Sequence, residues 1–125
     1  MTRYVPMRLF VATAVASTGT AESGVVDLTR ATPRSLLVDL AADSGTPDVK
    51  IEIAISTDGV TFGDYADFDS ILASSAGAFG STPSGPHIQP LDDFPVAPYV
   101  TFRLTGVGSN PATTTATIDL FVEEL

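Results

Sequence analysis

Lys50 to Phe62 reads KIEIAISTDGVTF. With Val49 in front of it, the stretch puts Val49, Ile51, Ile53 and Ile55 on every second position, and Lys50, Glu52 and Ala54 between them. That is the period of a strand with one buried face and one wet face. The run stops at Ser56-Thr57-Asp58-Gly59. Asp-Gly between two alternating runs is a hairpin signal, because both residues tolerate positive φ. Val60 and Phe62 restart the alternation. The stretch therefore predicts a central hairpin around which other strands are arranged.

Outward from it, the same pattern recurs. Residues 1–6 read as an N-terminal arm ended by Pro6, and Met7 to Ala16 as a strand. Arg3 and Arg8 ahead of Leu9–Ala16 imitate a short signal peptide, but the alternation within the run favours a strand. Ser17 to Gly24 is a loop of small residues, Val25 to Leu28 a short strand, and Thr29 to Arg34 a turn through Pro33. Ser35 to Ala41 puts Leu36, Val38 and Leu40 on one face. Residues 70–95 form a long irregular loop rich in Gly and Pro, with a helical turn expected near Ser70–Ser74 and a short strand near His87–Gln89. Tyr99, Thr101 and Arg103 alternate with Val100, Phe102 and Leu104, and Val107–Pro111 reads as a hairpin-type loop. The last strand is Thr113–Val122, with Ile118, Leu120 and Val122 inward. About seven to eight strands at roughly ten-residue spacing predict one all-β domain over residues 1–125, an antiparallel β-sandwich or jelly roll.

Composition supports that class. The 125 residues hold no cysteine, so disulfides and thiolate metal sites are excluded. Ser, Thr, Val, Ala, Gly and Pro are plentiful while Lys, Glu and Gln are sparse, which favours strands and turns over helices. The net charge of −9 disfavours nucleic acid, since phosphate contacts need clustered Lys and Arg. Residues 1–34 carry four arginines against two acids, and residues 35–125 carry Lys50 and Arg103 against thirteen. No apolar run approaches the ~20 residues that span a bilayer.

Chemistry-bearing motifs are few. Asp64, Asp67 and Asp69 lie close together and are the calcium candidates, although their spacing matches no EF-hand loop. Acidic side chains at that spacing also suit a solvated strand edge. His87 is the one histidine and has no G-x-S-x-G elbow to serve, so a small hydrolase is the weakest alternative. No cofactor is expected. The aromatics Phe62, Tyr65, Phe68, Phe79, Phe94 and Tyr99 suit a core, an interface or a carbohydrate platform.

Lys50–Phe62 followed by Val96–Gly106 (VAPYVTFRLTG) and the Thr-rich Thr113–Val122 resembles small tailed-phage virion β-sandwiches, including head decoration (cement) proteins. The resemblance implies a non-enzymatic virion protein on the capsid surface, made in the host cytoplasm. It would bridge major capsid protein subunits as a homo-oligomer, with a trimer favoured, and without nucleic acid or membrane. Arg3, Tyr4, Arg8, Phe79, His87 and Phe94 are its implied partner contacts. A tail or neck protein is the near neighbour. The same segments resemble discoidin-like, galactose-binding jelly rolls, which implies a carbohydrate-binding module.

Overall fold

The computed structural model describes residues 3–45, 47–67, 85–90, 97–108 and 110–124. Among them are nine strands and no helix: β1 (Arg3–Ala14), β2 (Thr20–Glu22), β3 (Val26–Asp27), β4 (Ala31–Ala41), β5 (Val49–Ser56), β6 (Ala66–Asp67), β7 (Gly85–Pro90), β8 (Tyr99–Gly106) and β9 (Thr115–Glu124). They form two antiparallel sheets. The first has the order β1-β9-β4-β7; the second has the order β2-β8-β5-β6, with β3 also on β8. The expected all-β sandwich is present.

Register shows why the pattern folds this way. In the first sheet Leu36, Val38 and Leu40 stand opposite Leu120, Ile118 and Ala116. In the second, Ile51 and Ile53 stand opposite Leu104 and Phe102. All of these are essentially excluded from water. Each large apolar side chain buried in this way contributes about 1.5–3 kcal/mol. Because side chains alternate across a strand, a one-residue slip would expose the whole inner set. The core thereby holds the register.

Several local expectations are corrected. β5 does not keep one wet face: Glu52, held by Arg103, and Ala54 are buried, while Ile55, expected inward, is 44% exposed at the strand's end. Asp58-Gly59 makes no two-residue hairpin, and Val60–Phe62 is not a return strand. The Asp58 carboxylate accepts from the Ser56 hydroxyl and from the Val60 and Thr61 amides, each at 2.9 Å. The Ser56 hydroxyl in turn accepts from the Asp58 and Gly59 amides. Side chains thus take the hydrogen bonds that a return strand would have used. The chain returns to the end of β5 at Gly63, whose amide donates to the Ile55 carbonyl at 3.1 Å. It pairs with β5 in a ladder only at β6, where Ala66 and Asp67 face Ile53 and Glu52. The long partner of β5 is β8, about fifty residues away in the chain.

At the N-terminus the expected arm is strand. β1 begins at Arg3 and takes in Pro6, which stands opposite Phe121. A proline lacks a donor for the ladder and is tolerated on an edge strand, which β1 is. The simple alternation expected through Val15 breaks at register shifts between Arg8 and Phe10 and between Phe10 and Thr13. They turn Phe10 inward and leave Val11 exposed. At the second bulge Ala12 has φ 41°, and its amide donates to the Thr117 hydroxyl at 2.9 Å. The small-residue loop 17–24 contains β2, and β4 begins at Ala31, inside the expected turn, with a shift at Pro33. The strand expected at His87–Gln89 lies within β7. The expected helical turn at 70–74 lies outside the described residues.

Val107–Pro111 is not a hairpin loop either, since β8 and β9 belong to opposite sheets. This crossover is held by Asn110, which is 3% exposed. Its side-chain amide donates to the Val15 carbonyl at 2.8 Å. Its side-chain oxygen accepts from the Asp48 amide at 2.9 Å and the Thr114 hydroxyl at 2.8 Å. Gly106 sits beside it because a Cβ there would fall on the Ala16 carbonyl oxygen. Asn110→Ala removes the side-chain partner of the Val15 carbonyl and of the Asp48 amide, while the Thr114 hydroxyl keeps the Pro111 carbonyl. It should therefore destabilise the fold by about 1–3 kcal/mol, given the cost of an unsatisfied buried group. Urea unfolding would show this as a lower midpoint with an unchanged slope.

Candidate functional site

Cation placement is the first constraint on any site. Arg8 donates bidentately to Asp119 at 2.6 and 2.9 Å. Arg103 does the same to Glu52 at 3.2 and 2.8 Å. Arg34 pairs with Glu123, and Arg3 with Glu124. These are cross-strand neighbours: Arg8 faces Asp119, and Arg103 faces Glu52. Opposite charges in such positions reinforce a sheet. Tyr65 stacks over the Arg103 guanidinium at 4.3 Å from the ring centroid, so it is engaged in the second sheet.

Arg30 is the exception among these arginines. It has no partner among the described residues and lines a cleft of about 370 Å³. That volume falls in the ~300–1,000 Å³ range of small-molecule sites. Met7, Ala31 and Val122 provide its apolar lining; Asp27, Thr29 and Glu124 join Arg30 in the polar lining. Both carboxylates are anchored on one side. One Asp27 oxygen accepts from the Thr29 amide at 2.9 Å and its hydroxyl at 2.7 Å. One Glu124 oxygen accepts from Arg3 at 3.1 Å. The Thr29 hydroxyl, and then the Thr29 amide, hold the Asp27 carboxyl below the usual range. The cleft thus offers a guanidinium donor fork and two oriented carboxylates beside an apolar surface. β1, the β3–β4 connection and the end of β9 bring these residues together.

The residues expected as partner contacts disperse. Arg3 and Arg8 are held in ion pairs on β1, while Tyr4 beside them is 67% exposed. His87 stands opposite Val38 in β7. Phe79 and Phe94 lie outside the described residues. Of the calcium candidates, Asp64 is exposed, Asp67 lies in β6 opposite Glu52, and Asp69 lies outside the described residues. No group of three His, Cys, Asp or Glu placed to hold a metal occurs among the described residues. Tyr99 packs its ring against Gly59, separately from Tyr65. The cleft was not legible in the sequence. Asp27-x-Thr29 carries a local turn signal, but Met7 and Glu124 come from opposite ends of the chain.

No family model and no curated protein matches the chain. Three solved structures that it resembles are carbohydrate-binding modules. One is CBM32-1 from a family 31 glycoside hydrolase of Clostridium perfringens (14% identity, 93% of each chain, TM-score 0.43). Another is chitosan-binding module 1 from a chitosanase/glucanase of Paenibacillus sp. IK-5 (13% identity, 94% of this chain and 92% of that one, TM-score 0.44). The third is the family 32 module of C. perfringens NanJ in complex with galactose (11% identity, 96% and 93%, TM-score 0.36). No residue role is carried across at these identities.

The two bidentate pairs set a testable acid response. Hydrogen bonds from Arg103 and Arg8 hold Glu52 and Asp119 below their ordinary values. Each pair therefore stabilises the fold fully above the ordinary carboxylate range and loses that contribution as pH falls through the depressed value. Thermal unfolding measured against pH should show a fall in Tm below about pH 4 that Asp119→Asn and Glu52→Gln each flatten, since both carboxyls have ordinary values near that pH.

Proposed function

We propose that this chain is a non-enzymatic β-sandwich binding module whose cleft beside Arg30 takes a carbohydrate. The observation that carries the reading is the Arg30 guanidinium, without a partner among the described residues, set between two anchored carboxylates beside an apolar surface. Sugars present adjacent hydroxyls, each able to donate and accept, on a ring with apolar C–H faces. A guanidinium fork and oriented carboxylate oxygens match the hydroxyls. The partly exposed Met7 and Ala31 match the ring face, backed by the buried Val122. With Arg3 already bound to Glu124, the cleft has no net positive charge, and the chain carries −9. A neutral sugar suits it better than an anionic one. The discoidin-like resemblance of Lys50–Phe62 and Val96–Gly106 leans the same way.

A glycan array followed by calorimetry tests this. Neutral glycans should bind weakly, with Kd about 10 μM to 1 mM, as a shallow site allows. Arg30→Gln should weaken binding about tenfold or more, the usual scale for losing charge-assisted hydrogen bonds. Its Tm should stay unchanged, because Arg30 has no partner among the described residues. Absence of binding to every glycan class would sink the reading.

The second reading is a virion structural protein, most concretely a capsid decoration protein bridging major capsid subunits. It is supported by the edge strand β1, which leaves Tyr4 and Val11 exposed at 67% and 61%. Such a protein would form a defined oligomer and sediment with capsid shells at fixed stoichiometry, and Tyr4→Ser would reduce that binding. A monomer that ignores shells would exclude it.

A further inference from the structure

A second cleft, of about 130 Å³, adjoins the first. It is lined by Met7, Arg8 and Leu9 of β1 and by Ser23–Val26 leading into β3. Met7 belongs to both clefts, so they meet along the seam where β1 of one sheet passes β3 of the other. The polar groups in the smaller cleft are already used. Arg8 is held by Asp119, and the Ser23 hydroxyl donates to the Gly24 carbonyl and accepts from the Phe102 amide. What remains open there is Val25, 54% exposed, and the space beside Gly24, where a Cβ would meet nothing within 4 Å.

We infer that the two clefts are consecutive subsites for one neutral oligosaccharide, with its polar anchor at Arg30 and the next sugar ring lying over Met7 and Val25. This rests on the carbohydrate reading and extends it from a single sugar to a chain. The division of labour follows from the linings. The larger cleft has unspent donors and acceptors, which orient a sugar. The smaller has an apolar surface with satisfied polar neighbours, which suits a ring face and rewards no particular hydroxyl pattern. Two linked rings reaching adjoining sites gain affinity because the second binds intramolecularly.

Calorimetry with a neutral monosaccharide that binds, and with its linear tetramer, tests the inference. The tetramer should bind about tenfold tighter than the monosaccharide, or ~1.4 kcal/mol. Gly24→Phe fills the smaller cleft from a position with room for a side chain. It should bring the tetramer down to the affinity of the monosaccharide, with monosaccharide affinity and Tm unchanged. Val25→Asp, at an exposed site, should do the same and serves as a second variant if the first fails to fold. Equal affinity for both sugars, or a tetramer affinity indifferent to both variants, overturns the extended site while leaving the carbohydrate reading. A protein that takes neither sugar nor any other glycan overturns both.

Discussion

The two central strands of this sandwich, β8 and β9, are consecutive in the chain yet lie in opposite sheets. The link between them must cross the end of the core, where backbone polar groups lose water. Asn110 makes the crossing possible. One buried side chain serves the carbonyl of Val15, the amide of Asp48 and the hydroxyl of Thr114, and so joins the connections after β1, before β5 and before β9. With that end closed, β8 can pair with β5 and β9 can pair with both β1 and β4. The inner apolar positions of β4 and β9, and of β5 and β8, then face one another across their ladders.

Closure at the Asn110 end leaves the opposite end as the place for variation. There β1 begins, β9 finishes, and the β3–β4 connection turns. Charge follows the same division. Along the sheet faces Arg8, Arg34 and Arg103 are committed to carboxylates on neighbouring strands. Half-exposed pairs of this kind hold geometry more than they add stability. Among the described residues Arg30 alone of the arginines has no carboxylate partner, and it stands at the open end beside a cleft. A sheet interior made of Val, Ile, Leu and Phe offers no chemistry, so recognition falls to the rim, where loops can change without disturbing the core.

The inner faces were readable because strand periodicity is local. Spacing places Leu36, Val38 and Leu40, Val49, Ile51, Ile53 and Ile55, and Ile118, Leu120 and Val122 inward, and all but Ile55 at the end of β5 are buried. The structure departs from the local pattern where a short-range signal has two physical outcomes. Asp58-Gly59 suits a two-residue hairpin turn, but the Ser56 and Asp58 side chains captured the loop amides instead. Val107–Pro111 suits a hairpin loop, but its strands part to different sheets. Pro6 suits a strand end, but β1 is an edge, where the missing donor costs little.

Alternation, turn chemistry and the scarcity of helix formers decided the fold class, because each depends on residues within a few positions of one another. Strand partnership, the bulges in β1 and the cleft depended on tertiary structure. Met7, Arg30 and Glu124 meet only when β1, β9 and the start of β4 pair into one sheet, Asp27 joins them from the other sheet, and no spacing in the chain records that meeting. Pairing across the sandwich is chosen by the burial of whole faces at once, a sum over distant residues that no short window contains.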